Sequence, residues 1–538
     1  MKQPVKRTVK PFEFFANFGG ISQQKGLMVM QPNEAELIEN LHVSHIGEWT
    51  AYQQGYDHHT AQLESGATLD ALTPYRDDTG ANYLLAVLNG KVLHIDELTG
   101  TVQATLSTAF SVGEAVDFCV FAGSLYATAP SLNPQKWSGS GTMTAASGFP
   151  LVVGSTTYEH PGYAEVFNNR MAYAHFNGTT PFKSHLALSD DLAPETITIG
   201  TADTDGAVIG IAPGDGQHIR GLRTFSLPNS GSEILLIWKD ESMYALEGAT
   251  PSTFRLYTVN KSIGALNNRC IVRLGSDVVF LDRHNVHSLS TVSDSATIQP
   301  KAIGSERVQD TLADLNLSAL ETAWAQHLPD RHEVWFAIPT GAALVPDTIL
   351  VYCYKPMDGT PINAWSVRKG TTQTCGATLN KTFFTGDASG YVNRWFGSSS
   401  YAGMGYVWKY QLPFYPFETQ NQNKRIVRLD ALLRFSQNTQ LTLEYAWQGG
   451  GNNTSRTLSQ TVSVGAGNGP IALYGTALYN EAVYSGTRDG VLKKIHIPVL
   501  GNGERFQIGI SGISGDTAPS FLGFKGFVSY LGQSRQYL

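Results

Sequence analysis

Charged residues are scarce in this chain of 538 residues. They make up 15% of the sequence, against ~25% in an average soluble protein, and the formal net charge is -7. A surface built to grip nucleic acid normally carries basic clusters, so this balance argues against one on the outside of the molecule. The same charge balance is compatible with a surface along which DNA passes without being held.

Cysteines and long apolar runs are also few. The four cysteines are scattered without a CxxC pair, so neither a zinc site nor a disulfide framework is indicated, and we expect reduced, packing thiols: Cys119, Cys270, Cys353 and Cys375. The basic start "MKQPVKRTVKPFEFFANF" has no apolar signal-peptide core, and no run of 18 apolar residues follows. The sequence therefore predicts a soluble chain made in the cytoplasm, with no membrane span.

Helical periodicity is rare. It is clearest in "NEAELIENL" at 33–41, where Asn33 and Glu36 have the spacing of a capping box, and in "RVQDTLADLNLSALETAWA" at 307–325. Glu34, Glu36 and Glu39 would then cap the first helix or lie on its exposed face. Glycine, with 54 residues, is abundant and indicates many tight turns.

Most of the remaining sequence reads as short strands. In "YLLAVLNGKVLHIDELTGTVQATL" three strands are separated by an Asn-Gly and a Thr-Gly turn, which is a meander. Similar units begin near residues 83, 115, 163, 232, 271, 331 and 375, at uneven spacings around the ~40- to 50-residue repeat of propeller blades. We predict an all-β fold with a β-propeller of about six to seven blades, and a series of β-sandwich domains is the alternative.

The pattern changes near residue 405. "RIVRLDALLRF" alternates Val427, Leu429, Ala431, Leu433 and Phe435 with polar residues, as in a half-exposed strand, and "KKIHIPVL", "RFQIGISGI" and "FLGFKGFVSYL" follow. We predict three parts. These are an N-terminal arm with a short helix and a ring-closing strand (1–60), the propeller (61–405), and a separate C-terminal β-sandwich or platform domain (406–538).

Candidates for catalysis or metal binding are weak. Asp57, His58 and His59 are adjacent, and alternation on a strand would separate the two histidines. Alternation would also separate the members of "DRHNVH": Asp282, His284 and His287. Asp96 and Asp387 are similar to the aspartate-box turns of sialidase-like propellers, and the simpler interpretation is a turn in which each carboxylate bonds its own backbone. No nucleophile elbow, zincin or phosphate-loop motif occurs. We predict no enzyme and no catalytic, cofactor-binding or metal residue.

The segment "NFGGISQQKGLMVMQPNEAELIENLHVSHIGEWTAYQQGY" (17–56) resembles the N-terminal signature of the tail nozzle or hub proteins, also called tail tubular protein B-like, of short-tailed bacteriophages. The family's usual arginine before the last glycine is Gln54 here. The end, "FLGFKGFVSYLGQSRQYL", is also similar to the ends of these proteins. The matching positions are Gly19, Gly20, Ile21, Pro32, Glu34, Ala35, Asn40, Val43, Gly47 and Gly55.

The resemblance implies a structural virion protein located in the phage tail. Copies would form a six-fold ring that contacts a tail adaptor and tail fibre or spike proteins, and genome DNA would pass the lumen during ejection without sequence-specific binding. Net negative charge suits that lumen, because it would keep phosphates from adhering. The basic group Lys424, Arg425, Arg428 and Arg434 is more typical of a solvated or subunit-facing strand edge than of a DNA site.

Two other functions stay open. A propeller-type glycan-binding protein or glycoside hydrolase would gather acids and aromatic residues on one propeller face. A receptor-binding or fibre-adaptor protein would carry trimeric or fibrous repeats, which the sequence lacks.

Overall fold

The structure, a computed structural model, is almost entirely β. It describes residues 9–15, 19–24, 34–45, 48–51, 53–227, 232–275, 277–292, 297–357, 360–418, 422–435, 439–449, 454–462, 491–514 and 520–531. Helical structure in this part is limited to one short α-helix, Gln309–Ala313, and three 3-10 turns, Asn268–Cys270, Leu317–Thr322 and Pro329–Arg331.

Seven four-stranded antiparallel blades lie in the described part of the chain. Blade 1 has strands Leu69–Arg76, Asn82–Leu88, Lys91–Ile95 and Val102–Ser107, and blade 2 has Asp117–Phe121, Ser124–Ala129, Leu132–Trp137 and Thr144–Ala145. Blade 3 has Pro161–Phe167, Arg170–Phe176, Phe182–Leu188 and Ala207–Gly210, and blade 4 has Ile219–Ser226, Glu233–Lys239, Met243–Glu247 and Arg255–Asn260. Blade 5 has Ile271–Leu274, Asp277–Leu281, Val286–Val292 and Thr297–Ala302, and blade 6 has Trp324–Leu328, Glu333–Ile338, Thr348–Cys353 and Ala364–Lys369. Blade 7 has Gln373–Leu379, Thr382–Asp387, Val392–Ser398 and, from the start of the chain, Gly55–His58.

The blades form a closed ring, so the prediction of an all-β propeller is confirmed. The first strand of each blade, or the 3-10 turn leading into it, lies against the first strand of the blade before it, and blade 7 packs against blade 1. Small two-stranded ladders add to this ring: Leu151–Val153 with Thr156–Tyr158, and Pro356–Met357 with Thr360–Pro361. The predicted Asn-Gly turn of blade 1 is present, because Asn89 and Gly90 both have positive φ, as a two-residue hairpin loop requires.

A second β unit is built from both ends of the chain. Its first sheet contains Val9–Phe15, His42–His45, Glu48–Thr50, Lys424–Phe435, Val491–Ile497 and Ser520–Tyr530. Its second sheet contains Leu37–Glu39, Val407–Gln411, Thr439–Gln448, Thr454–Val462 and Arg505–Ile513. The sheets pack face to face, with the rings of Tyr410 and Phe521 4.7 Å apart between them, which makes a sandwich.

The sandwich is continuous with the propeller and not separate from it. Strand Leu37–Glu39 pairs in parallel with blade 6 at Val367 and antiparallel with Val407–Gln411, so blade 6 and the second sandwich sheet form one nine-stranded sheet. One hydrophobic core also runs through both parts. Movement of one unit against the other would therefore break backbone hydrogen bonds.

The first predicted helix is wrong. Within 33–41 the described residues form strands Glu34–Ala35 and Leu37–Glu39, and the first of these pairs with Gly20–Ile21. A nine-residue helix is marginal in water, whereas this segment gains two strand partners and buries Ile38 and Leu41. Glu34 accordingly lies in the core, 2.9 Å from Arg307 Nη1, and not on an exposed helix face.

Two further expectations need correction. Region 307–325 holds only the five-residue α-helix and a 3-10 turn before the first strand of blade 6. Val427 is 56% exposed, because a β-bulge between Ile426 and Arg428 shifts the alternation, so Ile426 takes the buried position. Leu429, Ala431 and Leu433 are buried as expected. Pro32, Asn33 and Gly47 lie outside the described residues.

Candidate functional site

The propeller axis is crossed by a network of polar side chains. Asn268 Nδ2 donates to Asp117 Oδ2 at 2.9 Å, and Asn268 Oδ1 accepts from Arg223 Nη1 at 3.0 Å. Glu165 pairs with Arg273 and lies 3.6 Å from Arg223. Burial raises the pKa of Asp117 to about 6 against the opposing charge of Arg223. These residues come from blades 2 to 5 and bond to one another across the axis, where Asp117, Arg223 and Arg273 also line a cavity of about 400 Å³.

One end of the axis opens into a cavity of about 620 Å³. It lies at the N-terminal ends of the first strands, so residues from most of the blades reach it. Its basic members are Lys183, Arg220, Arg269, His175 and His218, and its acidic members are Asp70, Glu114 and Glu321. The volume falls in the ~300–1,000 Å³ range of small-molecule sites.

Burial shifts the pKa of several side chains at this mouth of the cavity. Burial raises the pKa of Asp70 to about 6, opposed by the charge of Arg269. Burial also lowers the pKa of His175 to about 4, and it lowers the pKa of His218. His175 is therefore neutral at pH 7, with its Nδ1 2.8 Å from the carbonyl of Ile219.

A second buried polar cluster lies where the N-terminal strands meet blades 6 and 7. Arg368 is fully buried and donates to the carbonyl of Gln54 at 3.0 Å and to its Oε1 at 2.9 Å. Arg331 donates to the same Oε1 at 2.6 Å. The guanidinium of Arg368 lies 4.6 Å from the ring centroid of Trp335. Gln54 thus ties the start of the ring-closing strand to blade 6.

Glu333 balances the two arginines. It accepts from Arg331 Nε at 3.3 Å and from Trp335 Nε1 at 2.9 Å, and it contacts His42. Burial would raise the pKa of Glu333, but His42 and Arg331 hold it well below its usual range. Burial, followed by the charge of Arg331, lowers the pKa of His42 to about 4, so a neutral His42 donates to the carboxylate at pH 7.

Gln54 is the position where the chain departs from the nozzle signature. An arginine here would bring a third guanidinium against Arg331 and Arg368, with Glu333 as the nearby carboxylate. The glutamine is therefore matched to two arginines that already occupy the site.

His58 and His59 have different partners, as predicted, whereas Asp282 and His287 contact each other, contrary to the prediction. His58 Nδ1 lies 2.8 Å from Asn393 Oδ1, whereas His59 Nε2 lies 3.1 Å from the carbonyl of Asp96. Asp282 and His287, expected on opposite faces, are 2.9 Å apart, because Asp282 begins a turn and strand alternation does not hold there. Both are buried, and His287 stacks on Phe280 at 5.3 Å, as in a packed hairpin.

The acidic turns bond their own backbone as predicted. Asp96 Oδ1 accepts from the amides of Leu98 and Thr99 at 3.0 and 2.7 Å. Asp387 Oδ1 accepts from the amides of Ser389 and Tyr391 at 2.9 and 3.0 Å. These carboxylates stabilise hairpins.

The basic residues of strand Lys424–Phe435 do not form a continuous patch. Lys424 is buried, its Nζ donates to the carbonyl of Glu504 at 2.8 Å, and burial lowers its pKa to about 8. Arg428 pairs with Asp430 at 2.9 Å, and Arg434 lies 3.8 Å from Glu48. Only Arg425 is both exposed and without such a partner in the described part of the chain.

Sequence reasoning missed both polar clusters. The signal for the second was an arginine inside an apolar strand, "AWSVRK", since a charge at such a position needs buried partners. The partners lie about 300 positions away in the chain at Gln54, so no local pattern could identify them. In the ranges that the structure describes, no group of three His, Cys, Asp or Glu residues is placed to hold a metal, and no helix is long and apolar enough to cross a membrane. The four cysteines are free, and Cys270, Cys353 and Cys375 are buried.

No family model and no curated protein matches the chain. Among solved structures, BamB from Moraxella catarrhalis is similar over 61% of this chain and 82% of its own, with 10% sequence identity and a TM-score of 0.34.

Proposed function

We propose that this chain is a structural protein of a short bacteriophage tail, where copies form the distal nozzle or hub ring. The observation that carries the proposal is the place of the segment that resembles the nozzle signature. Its described residues join blade 6 to the sandwich through Leu37–Glu39, extend the first sandwich sheet through His42–His45 and Glu48–Thr50, and close the propeller through Gly55–His58.

This rigid connection between the propeller and the sandwich suits a subunit that is under mechanical stress. Because the nine-stranded sheet runs through both units, their relative orientation is fixed by backbone hydrogen bonds and by a shared core. A ring of such subunits would keep its lumen open while DNA passes and while other tail proteins attach.

DNA would pass between subunits and not along a propeller axis. The bonded network of Asp117, Asn268 and Arg223 crosses the axis, and the axial cavities, of about 400 and 620 Å³, are of small-ligand size. The net charge of -7 per chain supports a lumen that repels phosphate, since strong neutralising contacts would retain the DNA.

Ring assembly tests the proposal. Mass photometry and electron microscopy of the purified full-length chain should show closed rings, six-fold by analogy with the family, and a labelled chain should appear at the distal end of virion tails. Arg368→Met should weaken assembly by loosening the joint, whereas Arg394→Met, an exposed arginine on blade 7, should leave it unchanged. A chain that stays monomeric and is missing from tail particles would refute the nozzle role.

The alternative is a glycan-binding or glycoside-hydrolysing propeller. A glycosidase needs two carboxyl groups placed on either side of the scissile bond. At the cavity mouth, Glu321 pairs with Arg220, and Glu114 accepts from Ser111 and Ser131. Saccharide turnover by the monomer would support this alternative over the ring.

A further inference from the structure

The cavity at the mouth of the propeller axis has a group of basic side chains on one wall. Blades 3 and 4 contribute Lys183, His175, His218 and Arg220. The rings of His175 and His218 lie 6.1 Å apart, and after burial the charge of Lys183 is among the causes that lower the pKa of both. Because burial holds the pKa of both histidines below the usual range, Lys183 and Arg220 are the positive charges of this wall at pH 7.

Most other charges at the mouth already have partners. Arg220 donates to Asp240 at 2.7 Å and to Glu321 at 2.5 Å. Glu114 accepts from the amide of Ser111 at 3.1 Å. Lys183 differs, because it makes no hydrogen bond or ion pair within the residues that the structure describes. A partly buried ammonium beside two imidazoles is stabilised by an external anion.

We propose that this cavity binds a small organic oxyanion, a carboxylate or a phosphate ester, with its anionic group against Lys183 and His218. The cavity of about 620 Å³ accommodates a ligand of one or two sugar-sized rings. Tyr163, whose ring lies 5.3 Å from that of His175, and Asn177 lie on the same wall and would contact the body of the ligand. A neutral glycan would leave Lys183 without a counter-charge.

This site is independent of ring formation, since it lies on the axis of a single propeller. The two proposals can therefore fail separately. Rings without anion binding would overturn only the ligand site, and anion binding by a permanent monomer would overturn only the nozzle role.

Isothermal titration calorimetry of the full chain at pH 7 tests the site with three probes: glucuronate, inorganic phosphate and uncharged glucose. We expect one or both anions to bind and glucose not to bind. Binding by glucuronate alone would identify a carboxylate ligand, and binding by phosphate would identify a phosphate ester. Lys183→Gln should weaken binding about tenfold or more, because it removes a charge-assisted hydrogen bond.

Two variants make the result specific. Lys183→Arg should retain anion binding, and Lys261→Gln, an exposed lysine after blade 4, should bind like the unchanged protein. Absence of binding by both anions, equal binding by Lys183→Gln, or equal binding of glucose would each overturn the proposal.

Discussion

The buried guanidinium of Arg368 should control how firmly the propeller ring is closed. Replacing it by methionine keeps an unbranched side chain and removes both hydrogen bonds to Gln54, at 3.0 and 2.9 Å. The carbonyl of Gln54 would then be left without this donor in the core, immediately before the ring-closing strand Gly55–His58. The contact with the face of Trp335 would also be lost.

The expected cost follows from these contacts. A buried carbonyl without its donor costs ~1–3 kcal/mol, and a desolvated cation–π contact contributes up to about 2 kcal/mol. Part of this is offset, because Arg368 Nε makes no hydrogen bond in the described structure and Arg331 is a like charge nearby. We expect a net loss of about 2–4 kcal/mol, which appears locally as opening of blade 7.

Hydrogen exchange followed by mass spectrometry measures this opening. Amide protection in 55–58 should fall by roughly 30- to 1,000-fold in Arg368→Met, while blades 3 and 4 exchange as before. Arg394→Met is the matched control, since Arg394 is exposed on the neighbouring strand and should cost less than about 0.5 kcal/mol. Unchanged protection of 55–58 in Arg368→Met would refute the role assigned to this cluster.

Three further predictions concern buried polar groups. Gln54→Arg should destabilise the protein by about 2 kcal/mol or more through repulsion with Arg368, and adding Arg368→Gln should recover part of the loss in urea unfolding. His42→Gln should reduce the loss of stability between pH 6.5 and 4 by about 1.4 kcal/mol per pH unit, because the pKa of His42 falls to about 4 on folding and the unfolded chain binds that proton first. Arg170→Lys should increase proteolysis within 190–206, because Arg170 donates to the carbonyls of this loop at 2.5–3.3 Å and lysine cannot reproduce the fork.

Each of these predictions has a contrary outcome. Equal stability of Gln54→Ala and Gln54→Arg would remove the charge argument. An unchanged acid slope in His42→Gln would mean that His42 is protonated in the folded state at pH 5, contrary to its buried environment. Equal proteolysis of Arg170→Lys and the unchanged protein would show that other contacts hold the loop.

The propeller could be predicted because its signals are local. An apolar strand, a two-residue turn and a second strand lie within about 20 residues, and the Asn89-Gly90 loop and the carboxylates of Asp96 and Asp387 each define a hairpin from neighbouring residues alone. The strands after 405 were predictable for the same reason. The bulge at Val427 was not, since it depends on the register of the partner strand.

Long-range pairing explains the failures. Residues 33–41 carry a helical pattern, but their strand form depends on Val367 and on Val407–Gln411. The Asp282–His287 contact depends on a turn that interrupts alternation. The wall of the axial cavity is assembled from blades 3 and 4, and the polar joint at Gln54 from distant arginines. Such sites are assembled by tertiary structure from distant residues, so local sequence patterns indicate them only weakly.

The position of Gly55–His58 in blade 7 also sets the order of events during synthesis. This strand leaves the ribosome early, yet its partner Val392–Ser398 follows only after all the other blades, on the order of tens of seconds later at ~5–20 residues per second. Until then the propeller is an open arc with two unpaired edges, and the sandwich lacks its C-terminal strands. Ring closure, sandwich completion and the joining of the two units therefore occur late and close together in time. In the proposed ring, copies that associate before this point would do so through exposed strand edges, so the timing of assembly would depend on translation rate as well as on affinity.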